Sequence, residues 1–141
     1  CGFKPINLKD KKRIHIQNIT ILDKEKISYG LKNNILLISD NKSEKKYKIE
    51  IIVKKKKENK IKDKTGKIKR YSLSITANLK LINLNDETEI HKIFARNGDY
   101  DVALLHSDTI NDEKRTTRNI INQITDDIIN FIRFDTRNNW Y

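Results

Sequence analysis

YSLSITANLKL, residues 71–81, alternates without a break. Tyr71, Leu73, Ile75, Ala77, Leu79 and Leu81 fall on one side, and Ser72, Ser74, Thr76, Asn78 and Lys80 on the other. Successive side chains of a strand point to opposite faces, so the stretch predicts a strand with one buried face and one wet face. Such a strand needs a cover on its apolar side, and the rest of the chain has to supply it.

Upstream, Tyr47, Ile49, Ile51 and Val53 alternate with Lys48, Glu50 and Ile52 and predict a second strand. Between the two lies KKKKENKIKDKTGK, residues 54–67, with seven lysines in its first eleven positions. Like charges repel, so this stretch reads as the outer ends of two strands joined by a flexible loop, with Thr65-Gly66 as a turn signal. Downstream, Asn83 to Asp86 turn the chain, and ETEIHKIFAR, residues 87–96, predicts a strand of less regular phase. NGDYDVALLH, residues 97–106, reads as a connection.

Further out, RIHIQNITI at 13–21 alternates at Ile14 and Ile16, slips phase, and resumes at Ile19 and Ile21. That pattern predicts a strand with a bulge near Gln17 or Asn18. Ile27, Leu31, Ile35 and Ile38 recur at helical spacing, predicting a helix over 24–38 that Gly30 weakens. At the other end, Ser107, Asp108 and Thr109 offer caps. Ile110, Thr117, Ile121, Ile124, Ile128 and Phe131 or Ile132 then form one stripe, predicting a helix over 108–133. The expected order is β-α-β-β-β-α. This is an α+β two-layer sandwich, with a four-stranded, mixed but mostly antiparallel sheet and two helices on one face. The crossover lets the first two strands run parallel. Residues 1–12 read as a tether, 13–134 as one domain and 135–141 as a flexible tail.

Composition removes several classes. With 141 residues the chain suits one domain. No apolar run reaches the 18 or so residues of a membrane-spanning helix. One Cys excludes an internal disulfide framework and a Cys-rich zinc site, and four Gly without a phosphate-loop motif exclude the usual nucleotide cradles. His15, His91 and His106 lie in separate elements with no metalloprotease spacing. Asp99, Asp101, His106 and Asp108 read as turn and cap residues. No enzyme and no cofactor are expected.

Charge is the main functional signal. Thirty Lys and Arg face 19 Asp and Glu, a net charge of +11 that attracts anions. Lys54, Lys55, Lys56, Lys57, Lys60, Lys62, Lys64, Lys67, Lys69 and Arg70 gather around one hairpin end and are the candidate binding residues. Lysine serves phosphates as a point charge where geometry is loose. A solvated, compositionally lysine-rich loop is the plainer reading of the same run. Nucleic acid is poorly supported, because no aromatics interleave the lysines.

The first residue is that lone Cys1, and the chain contains no Met. Together these lead us to expect a processed N-terminus, of the kind that leaves an acylated cysteine on bacterial lipoproteins. Several acyl chains on one residue anchor a domain stably, at about 0.8 kcal/mol per buried CH₂. Gly2, where an aspartate favours retention in the inner membrane, points to the outer membrane. An N-terminal nucleophile enzyme is the competing reading of Cys1, and the small size disfavours it.

CGFKPI at 1–6, the element order, and NGDYDVALLHSD at 97–108 ahead of a long C-terminal helix resemble the lipopolysaccharide-assembly lipoprotein family, LptE, in its alphaproteobacterial branch. The resemblance implies a lipoprotein on the periplasmic leaflet of the outer membrane. It implies a partner, the LptD β-barrel, which such proteins plug, and lipopolysaccharide as cargo. It carries over Cys1 as the lipidation site. It supplies no motif for lipopolysaccharide contacts, so the lysine cluster rests on charge alone. The alternative is a basic anion- or nucleic-acid-binding module without a membrane anchor.

Overall fold

The computed structural model describes residues 13–28 and 30–138, with side chains to residue 136. Cys1, the tether and Trp140 and Tyr141 lie outside these residues. The elements are β1 (His15–Asp23), α1 (Leu31–Leu36), β2 (Lys46–Lys62), β3 (Ile68–Asn83), β4 (Glu89–Asp101) and α2 (His106–Asn138). The order is the β-α-β-β-β-α that the sequence predicts. The sheet runs β1-β2-β3-β4, with β1 parallel to β2 and the other two pairs antiparallel.

β3 is the spine. Leu73, Ile75, Ala77, Leu79 and Leu81 are all buried and face Ile49 and Ile51 of β2 and the helices. Leu31 and Ile35 of α1 and Ile120, Ile121, Ile124, Ile128 and Ile132 of α2 close the same core, so both helices cover one face. Each fully buried isoleucine or leucine contributes about 1.5–3 kcal/mol of transfer free energy. Three threonines share the buried side of α2. Thr117, Thr125 and Thr136 donate their hydroxyls to the carbonyls of Glu113, Ile121 and Ile132 at 2.8, 2.7 and 2.7 Å, so none is left unsatisfied in the core.

The opposite face is mainly polar. One apolar row crosses it in register, Leu22 beside Ile52 and, across Asn78, Ile93, all three exposed.

The β1 bulge falls where the phase slips: the register shifts between Ile16 and Asn18. Ser39 holds it, its Oγ accepting the Ile16 N–H at 2.9 Å.

Three boundaries differ from expectation. The helix predicted over 24–38 forms only at Leu31–Leu36. Asp23 Oδ2 accepts the Ser28 N–H at 2.6 Å and turns the chain away from a helix, and Gly30 enters it with φ +66°, a left-handed start. Ile27 is buried from this loop. The strand predicted over 87–96 runs from Glu89 to Asp101, through the stretch read as a connection. β3 extends back to Ile68 and offers a ladder, and burial of Tyr100 opposite Tyr71 rewards the extension. Gly98 sits where a Cβ would meet Thr116 Cγ2 at 2.9 Å and Ile120 Cδ1 at 3.0 Å, so it admits α2 rather than turning the chain. Finally, α2 begins at His106 and runs to Asn138, past the predicted end at 133, because Thr136 continues the buried side one turn beyond Ile132.

Candidate functional site: a basic hairpin tip with an apolar ledge

The lysine run forms the outer ends of two strands, as the sequence predicts. β2 continues to Lys62 and β3 begins at Ile68, leaving only the turn between them. Asp63 closes that turn, its Oδ1 accepting the N–H groups of Thr65 and Lys67 at 2.9 Å each and the Thr65 hydroxyl at 2.6 Å. These hydrogen bonds, the Thr65 hydroxyl first, hold the Asp63 carboxyl below the usual aspartate range. Gly66 takes φ +85°, which a residue with a Cβ rarely adopts.

The ten candidate cations lie along the outer half of the β2–β3 hairpin, and carboxylates divide them. Lys55 and Lys57 point to the helix face and both reach Glu113 of α2, at 3.4 and 3.1 Å. Lys56 pairs with Glu58 at 2.8 Å, and Lys60 with Asp99. Arg70 reaches Asp101 at 2.9 Å, and Lys69 lies 4.0 Å from Asp63. Among the described residues, no carboxylate lies within 4.0 Å of the ammonium groups of Lys54, Lys62, Lys64 or Lys67. Lys62, Lys64 and Lys67 ring the tip, and Lys54 lies farther down β2.

Glu113 organises the base of the hairpin. Its Oε1 accepts the Tyr100 hydroxyl at 2.6 Å, and Tyr100 stacks on Tyr71 with centroids 5.5 Å apart. The Lys57 ammonium sits 4.5 Å from the centre of the Tyr71 ring. Partial burial pushes the Glu113 carboxyl up, and the hydrogen bonds from Tyr100 and Lys57 and the charges of Lys57 and Lys55 outweigh it, holding it below the ordinary 4.5. Burial first, then the bond to Glu113, pushes the Tyr100 phenol well up. The hairpin is thus clamped to the start of α2.

Exposed aliphatic side chains occur on the segments that meet at this end of the hairpin. The Val102 N–H bonds the Lys69 carbonyl at 3.0 Å, so the Val102–Leu105 link runs against the hairpin. Leu104 is fully exposed and Leu105 is 63% exposed, and Ile61 on β2 is 47% exposed. Cations flanked by exposed aliphatics suit a ligand with anionic head groups and apolar chains. The sequence reading found the lysines and missed the leucines. The only signal for them was an Ala-Leu-Leu run placed in a connection.

Asp101 pairs with Arg70, Asp99 with Lys60, and the Ala103 N–H is capped by Thr109 Oγ1 at 2.9 Å. Among the described residues, no group of three or more His, Cys, Asp or Glu could hold a metal ion. No described helix is long and apolar enough to cross a membrane.

No family profile matches the chain, and no curated protein matches it in sequence. Solved structures do match its fold. A minor lipoprotein from Acinetobacter baumannii superposes with a TM-score of 0.64 at 14% identity, covering 89% of this chain and 92% of its own. Lipoprotein B from Nitrosomonas europaea gives a TM-score of 0.59 at 16% identity, covering 100% and 99%. Rare lipoprotein B from Shewanella oneidensis gives 0.52 at 12% identity, covering 81% and 95%. The chain shares one fold, over nearly its whole length, with bacterial lipoproteins.

Proposed function

We propose that this protein is a lipid-anchored lipoprotein of the outer membrane that supports a large β-barrel of the LptD kind in delivering lipopolysaccharide, and that it meets lipopolysaccharide with the hairpin tip. The observation that carries the reading is the tip itself. The ammonium groups of Lys62, Lys64 and Lys67 stand without carboxylate partners, and Ile61, Leu104 and Leu105 are exposed on the strand and the link at the same end of the sheet. Phosphates and acidic sugars of a lipid A core match the lysines, and acyl chains match the aliphatics. The likeness of the fold to that of bacterial lipoproteins supports it. Cys1 is the anchoring residue in this reading.

Purification from native outer membranes tests it. A single large barrel protein should accompany this chain near one-to-one, and the N-terminal peptide should carry diacylglyceryl and acyl groups by mass spectrometry. Recovery of the chain alone, with an unmodified Cys1 thiol, would overturn the reading.

A further inference from the structure

We propose that the open edge of β2, Lys54–Lys62, accepts an extended acidic segment of a partner protein as an added strand. β1 pairs with β2 only from Lys46 to Val53. β3 follows β2 on the other side, in unbroken register to Asn59 and then, through register shifts between Asn59 and Ile61 and between Ile61 and Lys62, to Lys62. Among the described residues, no strand lies beside Lys54–Lys62 on the side that β1 vacates. The six residues in regular register, Lys54–Asn59, span about 20 Å, and on an edge alternate N–H and C=O groups point outward with no ladder partner. That length suffices for a stable added strand.

Charge selects the occupant. The edge carries Lys54, Lys55, Lys56, Lys57, Lys60 and Lys62 against Glu58 alone. A second copy adding by the same edge would set lysines against lysines, and like charges directly opposite destabilise a pair. An incoming strand with carboxylates at alternate positions does the reverse. Lys55 and Lys57 are held on the helix face by Glu113. Lys54 and Lys56 project together from the open face, one without a carboxylate partner and the other paired only with the exposed Glu58. Carboxylates of the added strand would stand opposite these two. Exposed Ile52 and Leu22, at the end of β1, offer an apolar seat for a residue at the end of the segment. This edge shares only Ile61 and Lys62 with the tip, and the proposal does not depend on the reading above.

The test uses the full chain and a nine-residue peptide alternating Glu with Val, followed by fluorescence anisotropy and amide hydrogen exchange. Binding should slow exchange at alternate amides within Lys54–Lys62 and nowhere on β4. N-methylation along one edge of the peptide should weaken binding about tenfold, with the other edge tolerant, because only one edge meets the ladder. Lys54→Glu with Lys56→Glu should weaken the parent peptide severalfold while exposed positions keep the fold intact. Equal binding by both methylated peptides, or binding without protection at Lys54–Lys62, would reduce the edge to a screened charge patch guarding against aggregation and overturn the proposal.

Discussion

Glu113 is the residue through which the lysine run becomes part of the fold. It receives two ammonium groups and a phenol, and together they fix the angle between the hairpin and α2. Glu113→Gln keeps the shape and removes the charge. It should lower stability by about 1 kcal/mol at neutral pH in urea titrations, since the pairs are partly exposed. The pH dependence has a definite sign. The folded carboxyl has a lower pKa than the unfolded one, so its contribution is complete above about pH 4.5 and fades as pH falls through the folded value. Glu113→Gln should therefore flatten the loss of stability below pH 4.5, and an unchanged acid limb would remove Glu113 from the account. Gly98 acts by lacking a side chain. Gly98→Ala pushes a methyl to 2.9 Å from Thr116 and 3.0 Å from Ile120, side-chain atoms that have to give way. A cost of about 1–2 kcal/mol is expected from overpacking, read as a drop in Tm. A rise in Tm would mean that α2 has slack there.

At the scale of elements, α2 closes the sandwich, and its stripe is the least replaceable surface. Ile128→Ala, at a position with no exposure, should cost about 2–5 kcal/mol through lost transfer energy and the cavity left behind. A loss below 1 kcal/mol in chemical denaturation would contradict the packing described here. The strands and both helices are legible in the sequence because burial imposes periods of two and 3.6 on Ile and Leu, as at Leu73–Leu81 and Ile121–Ile132. Boundaries are less legible because they depend on partners far along the chain. The second half of β4 forms because β3 extends to meet it, and nothing local to Asn97-Gly98 says so. The short α1 reflects a turn closed by Asp23 and a left-handed Gly30, which outweigh the spacing of Ile27 and Ile38. The candidate site shows the same division. Lysines are visible by type, whereas the carboxylates that pair with the hairpin's cations at Glu113, Asp99 and Asp101 lie 31 or more residues away, and only the fold brings them in.

At the scale of the molecule, the excess of 11 positive charges is unevenly used. Ion pairs absorb much of the hairpin's charge and leave Lys62, Lys64 and Lys67 at the tip. Exposed charges each count for under about 1 kcal/mol and salt screens them over about 8–10 Å, so one Lys→Ala change at the tip should be nearly silent. Groups of changes should not be. The most direct measurement is a lipopolysaccharide titration at low and high salt of the full chain and two variants. One variant carries Lys62, Lys64 and Lys67 changed to Gln, and the other has Leu104 and Leu105 changed to Ser. The account predicts that the lysine variant binds at least about tenfold more weakly at low salt and converges on the parent at high salt. It predicts that the leucine variant is weakened at both, because burial of apolar chains is not screened. Parent-like binding by both variants at low salt would contradict the tip as the site.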